Sequence, residues 1–214
     1  MSGPQGTVYL IDDNPMVRSA LHSLLRASGY AVHAFGSAEL FLLDARIVSP
    51  AVILTDMRMP TMTGLELITR LAEAGQHPPM IMISGESTPQ EIVASLKRGA
   101  IDFLFKPVSN EDLLAAIDKG MEIDRTRVLE ESRHKAQNSA LSALTARERD
   151  VAALMRMGFS NKQIALKLDV RADTIKRHRA QIYGKLGVAN LVEFLAFVAD
   201  EPLGDGDRDA PERA

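Results

Sequence analysis

Between Thr7 and about Met121 two hydrophobic patterns alternate along the chain. Short apolar runs, TVYLI, AVHAF, AVILT, PMIMIS and DFLF, are separated by stretches in which apolar residues return every three or four positions. Short, nearly continuous apolar runs predict strands covered on both faces, and the wider spacing predicts amphipathic helices. Five such units in succession predict an α/β fold, a doubly wound parallel sheet with helices on each side. A ligand site in a sheet of this kind lies beyond the carboxyl ends of the strands.

From Leu144 the strand pattern is gone and helix punctuation is dense. Thr145 with Glu148, and Ser160 with Gln163, have capping-box spacing, and Gly158 stops the helix between them. Two short helices joined by a tight turn follow, about 161–168 and about 172–186, which is helix-turn-helix geometry. The stretch between the two regions, EIDRTRVLEESRHKAQNSAL, is charged with few apolar anchors. Leu114, Ile117, Met121 and Val128 form a thin seam that Asp124 interrupts, so the last helix of the first region can run on as a solvated linker or join a two-chain coiled coil. The predicted organisation is therefore residues 1–121, a helical linker 122–142, a small all-α domain 143–200, and an acidic tail 201–214 expected to be disordered.

Composition changes this picture in two ways. The 214 residues include no cysteine, which excludes disulfides and thiolate metal sites, and no apolar run or basic leader suggests membrane insertion, so a cytoplasmic chain is expected. The net charge of −3 hides an asymmetry: residues 143–199 hold ten Lys and Arg against five Asp and Glu, +5, so the rest carries −8. A basic domain on an acidic chain points to a polyanion partner for that domain, most simply duplex DNA.

At the carboxyl rim of the predicted sheet, the first strand delivers Asp12 and Asp13, the third Asp56, the fourth Ser84 and the fifth Lys106. Singly, each has an ordinary reading as a helix cap, a strand end or surface charge. Together they suit one chemistry. Clustered carboxylates repel unless a cation neutralises them, and oxygen ligation suits Mg2+ (or Mn2+). Asp56 can then attack phosphorus, the charge of the product being held by the metal, Lys106 and the Ser84 hydroxyl.

LIDDNPMVR, ILTDMRMPTMTGLEL, MIMISGES and KRGAIDFLFKP together resemble the receiver domain of two-component response regulators, in order and across the whole first region. The resemblance implies a flavodoxin-like five-stranded sheet, Asp12 and Asp13 as the acid pocket, Asp56 as phosphoacceptor, and the Arg58 main-chain carbonyl as a further metal ligand. It also implies Ser84 and Phe103 as a switch pair and Lys106 before a cis Pro107. Phe103 stands where tyrosine is commoner, so its ring lacks a hydroxyl.

In the second helix of the helix-turn-helix, Ile175, Ile182 and Leu186, with His178 between them, form the inward stripe. LTARERDV, GFSNKQIALKL and TIKRHRAQIYGKLGV resemble the LuxR-type domain of FixJ/NarL-type regulators, with NLVEFLAFV as a fourth helix. The resemblance implies that Lys176 and Arg177 approach base edges, with Ala180 at a third reading position and Thr174 and Gln181 on the DNA-facing side. Arg179, Lys185 and Asn161 are the expected phosphate or sugar contacts. Two departures stand out: Arg171, which cannot cap, replaces the usual serine, and Asp173 puts a negative charge near the DNA.

The joined reading is a phosphorylation-controlled transcriptional regulator, not a dedicated enzyme. Its expected partners are a sensor histidine kinase, promoter DNA, a second copy of itself upon phosphorylation, and RNA polymerase; no membrane partner is expected. A dimer would present two recognition helices roughly 34 Å apart. Rival readings are a regulator acting through protein or RNA, DNA binding independent of phosphorylation, and an aspartate-phosphate hydrolase. The hydrolase commonly carries its nucleophile in a D-x-D arrangement after the first strand, whereas Asp12 and Asp13 are adjacent and Asp56 is separate.

Overall fold

In the computed structural model, which describes residues 5–199, each apolar run is a strand: β1 (Thr7–Ile11), β2 (Ala31–Phe35), β3 (Ala51–Asp56), β4 (Met80–Ser84) and β5 (Asp102–Phe105). They form one parallel sheet in the order β2-β1-β3-β4-β5, interleaved with helices α1 (Pro15–Ala27), α2 (Ala38–Asp44), α3 (Gly64–Glu73), α4 (Pro89–Lys97) and α5 (Asn110–Ser142). This is the flavodoxin-like doubly wound fold. The expected tail, 201–214, lies outside the described residues.

Successive side chains of a strand point to opposite faces, and the core divides accordingly. Tyr9, Ile11 and Ile53 pack with Phe41, Leu67 and Leu71 on one side, while Val8, Leu10, Val52 and Leu54 pack with Leu25, Leu113, Ile117 and Met121 on the other. The central strands are buried on both faces as their composition predicts. The edge strands differ: β2 leaves His33 and Ala34 exposed, and Phe105 of β5 is 54% exposed, because each pairs on only one side.

The chain divides into two compact units, one reaching Glu130 and the other starting at Glu131. Helix α5 is continuous through the segment expected as a linker. Its apolar residues as far as Met121 belong to the core of the first unit, which accounts for most of the seam without a second chain. Gly120 permits the close approach, since a Cβ there would lie 2.7 Å from a Val52 methyl. Asp124, an interruption by periodicity, is fully buried: Oδ2 accepts from the Ala51 backbone N–H at 2.8 Å, and Oδ1 accepts from Arg127 Nη2 at 2.6 Å and Nε at 3.0 Å. It satisfies the first amide of β3 at the strand's entry.

The second unit contains α6 (Ala146–Arg156), α7 (Asn161–Lys167), α8 (Ala172–Leu186) and α9 (Leu191–Phe197) around Leu144, Val151, Met155, Ile164, Ile175, Ile182, Leu186, Phe194 and Val198. Both capping boxes form as their spacing predicts, and Gly187, at φ 68°, ends α8 in the left-handed conformation. No described helix is long and apolar enough to cross a membrane.

Candidate functional site

Strand register sets the rim of the first unit. Ile11 pairs with Thr55, Asp56 with Ile83 and Ser84 with Phe105, so the residues at and just past the ends of β1, β3, β4 and β5 fall level with one another. The turn after β1 is fixed locally. Asn14 caps α1 by accepting from the amides of Met16 and Val17, Asp12 Oδ1 accepts from the Asn14 amide at 2.8 Å, and Arg18 Nη1 donates to the Asp12 carbonyl at 2.6 Å. The turn after β3 is fixed by the Arg58 amide, which donates to Asp56 Oδ1 at 3.0 Å. Gly64 allows α3 to start against that turn, since a Cβ on it would meet the Asp56 carbonyl at 2.8 Å.

Across the rim, Lys106 Nζ donates to Asp12 Oδ2 at 2.9 Å and to Asp56 Oδ2 at 2.5 Å. Burial of Lys106 works against its charge, but the hydrogen bonds to Asp56 and Asp12 outweigh it and hold the ammonium pKa above its ordinary value. The Lys106–Pro107 peptide is cis, as expected. Carboxylate oxygens of Asp12, Asp13 and Asp56 all lie within 4.8 Å of one another. The donor set suits magnesium: three carboxylates exceed the single ammonium by two charges, and all ligands are hard oxygens. The side chain of Asp12 is only 2% exposed and that of Asp56 12%, so of the two carboxylates bound to Lys106, Asp56 is the more accessible to an incoming phosphoryl group.

Ser84 is buried, donating to the Glu86 carbonyl at 2.7 Å and accepting from the Ser87 hydroxyl at 2.9 Å. Phe103 is half-buried against the α2–α3 side of the core, edge-on to the Phe105 ring at 5.3 Å. The Arg58 side chain reaches Glu91 of α4 at 3.4 Å.

In the second unit, α8 has the expected rotation. Ile175, Ile182 and Leu186 are buried, while Lys176, Arg177, Ala180 and Gln181 are exposed and Thr174 is half-exposed. His178 is half-buried rather than part of the core, and its Nδ1 has no hydrogen-bond partner among the described residues. Arg171 occupies the N-cap without a side-chain bond, and Asp173 pairs with Lys176 at 3.2 Å.

Lys185 has partners inside the domain: its ammonium donates to Glu148 Oε2 at 2.6 Å and to the Ala143 carbonyl at 3.1 Å, tying the end of α8 to the start of α6. The Lys185 hydrogen bond, followed by the Thr145 backbone amide, depresses the Glu148 pKa to about 2. Arg179 and Asn161 are bound to each other, Nη1 to Oδ1 at 2.7 Å. Sequence spacing showed neither pairing, because both join residues far apart in the chain.

Comparison with known proteins matches the two units separately. The model for the response regulator receiver domain covers residues 8–118, and that for bacterial regulatory proteins of the luxR family covers 142–198. The response regulator protein TmoT of Ectopseudomonas mendocina is 35% identical over 195 residues, 91% of this chain and 89% of that protein. The transcriptional regulatory protein FixJ of Rhizobium meliloti is 34% identical over 185 residues, 86% of this chain and 91% of that one. Among solved structures, the response regulator StyR superposes with a TM-score of 0.84 at 35% identity, covering 92% of this chain and 99% of that one. Full-length FixJ from B. japonicum gives 0.56 at 31% identity, covering 92% and 97%.

Proposed function

Because the chain belongs to the two-component response regulators, with a receiver domain followed by a luxR-family DNA-binding domain, we propose that Asp56 is the residue through which phosphorylation reaches the DNA-binding unit. The protein is a phosphorylation-controlled, DNA-binding transcriptional regulator whose phosphodonor is a histidine kinase. The observation that carries the assignment is the Lys106 ammonium bridging Asp56 to the deeply buried Asp12. It marks where negative charge is neutralised, beside the more accessible carboxylate of the two.

In the transfer, a carboxylate oxygen of Asp56 forms a bond to phosphorus as the bond from phosphorus to the donor's imidazole nitrogen breaks, and the imidazole leaves with the electron pair. Asp12, Asp13, Asp56 and the Arg58 carbonyl would hold Mg2+ or Mn2+, which neutralises the meeting of an anionic nucleophile with an anionic phosphoryl group. Lys106 holds Asp56 in place and then faces the phosphate. Ser84 reaches the phosphate by giving up the Glu86 carbonyl, and Phe103 moves with it. The chain accepts a phosphoryl group without being an enzyme of sustained turnover.

The altered receiver then favours a dimer that offers two α8 helices to successive major grooves, with RNA polymerase as a further partner. Lys176 and Arg177 read base edges, with Thr174, Ala180 and Gln181 beside them, and Asn161 contacts the backbone. The test is acid-labile labelling from a phospho-histidine kinase or acetyl phosphate with magnesium. The wild type is expected to label and Asp56→Asn is not; undiminished labelling of Asp56→Asn would overturn the assignment.

A further inference from the structure

Arg179 lies beside the inward stripe of α8, four residues after Ile175 and three before Ile182, and not among the exposed reading residues. Nη1 donates to Asn161 Oδ1 at 2.7 Å, Nη2 donates to the Tyr183 hydroxyl at 2.8 Å, and the guanidinium carbon stands 5.7 Å from the centre of the Tyr183 ring. Tyr183 in turn lies 6.3 Å, ring to ring, from Phe194, the fully buried anchor of α9. One guanidinium thus ties the first residue of α7 to a ring on α8 that rests on α9.

We propose that Arg179 is a positioning residue for DNA recognition: it does not itself clamp a phosphate but holds Asn161, whose side-chain amide is the donor offered to the DNA backbone. A guanidinium can only donate, so the carboxamide must turn Oδ1 towards Arg179. That leaves the Nδ2 amide, a donor of the right sign for a phosphate oxygen, as what Asn161 presents to a ligand. The planar fork fixes two partners at once, which a lysine ammonium on a flexible stem does not do. The strap also sets α7 against α8, so its loss would be felt in recognition as well as in one backbone contact. The proposal rests on α8 being the helix that enters the groove. Lys176→Ala and Arg177→Ala test that separately, since failure of either to change base preference would strike the placement of α8 and not the role of Arg179.

The experiment uses the full chain, phosphorylated with acetyl phosphate and magnesium. It is titrated at several salt concentrations onto a duplex selected by the wild type from a random pool and onto a shuffled duplex of equal length. A positioning role predicts that Arg179→Lys, although it keeps the charge, loses nearly as much affinity for the selected duplex as Arg179→Ala, about tenfold. The slope of log affinity against log salt should stay within about half a unit of wild type in both. Arg179→Ala combined with Asn161→Ala should bind no more than about twofold more weakly than the worse single variant, because both remove the same contact. Tyr183→Phe removes one leg of the strap while keeping the ring, and should lose about threefold in affinity while remaining folded at the assay temperature, as checked by thermal unfolding. If Arg179→Ala melts early, Arg179→Lys and Tyr183→Phe decide the question. Wild-type binding by both, or a slope about one unit lower in Arg179→Ala with equal losses on both duplexes, would overturn the proposal and restore Arg179 as a phosphate contact.

Discussion

The phosphoacceptor rim and the outer face of α8 both carry charged side chains, but they hold them in opposite ways. At the rim, Lys106 is bonded to two carboxylates, one of them buried, and the turns beneath are fixed by Asn14, Arg18 and the Arg58 amide. On the outer face of α8, Lys176 and Arg177 stand exposed, and the ion pair of Lys176 with Asp173 joins two exposed groups three residues apart. Transition-state charge is stabilised by groups already in place, so chemistry favours a built and partly buried cluster. Groove readers must exchange water for base edges and phosphates, so they are kept outside the fold. The same helix shows the alternative at Arg179 and Lys185, whose hydrogen bonds within the domain place them in the architecture.

If the rim is preorganised in this way, the largest effect should follow removal of its cation. Lys106→Ala is expected to slow phosphorylation of Asp56 by about a hundredfold or more, as for loss of one charge-stabilising donor. An unchanged rate of acid-labile labelling would mean that the bridge is incidental. Next comes Asp124, at the opposite end of β3. Asp124→Ala strands the buried Ala51 amide and removes the Asp124–Arg127 pair, and should destabilise the first unit by about 3 kcal/mol, measured by urea unfolding followed with a receiver-specific probe.

The third prediction concerns the lock beneath α8. Glu148 has a folded pKa of about 2 against an ordinary 4.5, so its pairing with Lys185 contributes stability in full above about pH 4.5 and loses it as pH falls towards about 2. Lys185→Met should lower the stability of the second unit at pH 7 by about 2 kcal/mol and flatten that acid dependence, read by thermal unfolding across the pH range. A steep salt-slope change in Lys185→Met, with stability intact, would mean that Lys185 acts on DNA and not as a lock. The smallest effects are expected where side chains are most exposed. Lys176→Ala or Arg177→Ala should cost about 1 to 3 kcal/mol at the preferred duplex, relax preference at particular positions and leave the fold untouched, as scored with single-base site variants.

Much of the first unit could be read from the chain because its signals are local: apolar runs bounded by turns, and polar groups at the strand ends. Asp12, Asp13, Asp56, Ser84 and Lys106 were legible because a parallel sheet must bring strand ends to one edge. The meaning of Asp124 was not legible. Judged by helical periodicity alone it breaks a seam, and its partner, the Ala51 amide, is 73 residues away. The partners that Lys185 and Arg179 find inside the domain were not legible for the same reason: Glu148, Ala143 and Asn161 all lie on other parts of the fold. The capping boxes at Thr145 and Ser160 succeeded because cap and partner are three residues apart.

The central claim is that phosphate on Asp56 governs DNA binding by the second unit. Its most direct test is the affinity of the full chain for a wild-type-selected duplex, measured at fixed salt with magnesium, before and after treatment with acetyl phosphate, in wild type and in Asp56→Asn. The account predicts that wild-type affinity rises at least about tenfold on treatment, a coupling of about 1.4 kcal/mol, and that Asp56→Asn stays at the untreated level in both conditions. An equal rise in Asp56→Asn, or no rise in a wild-type sample shown to be labelled, would contradict it.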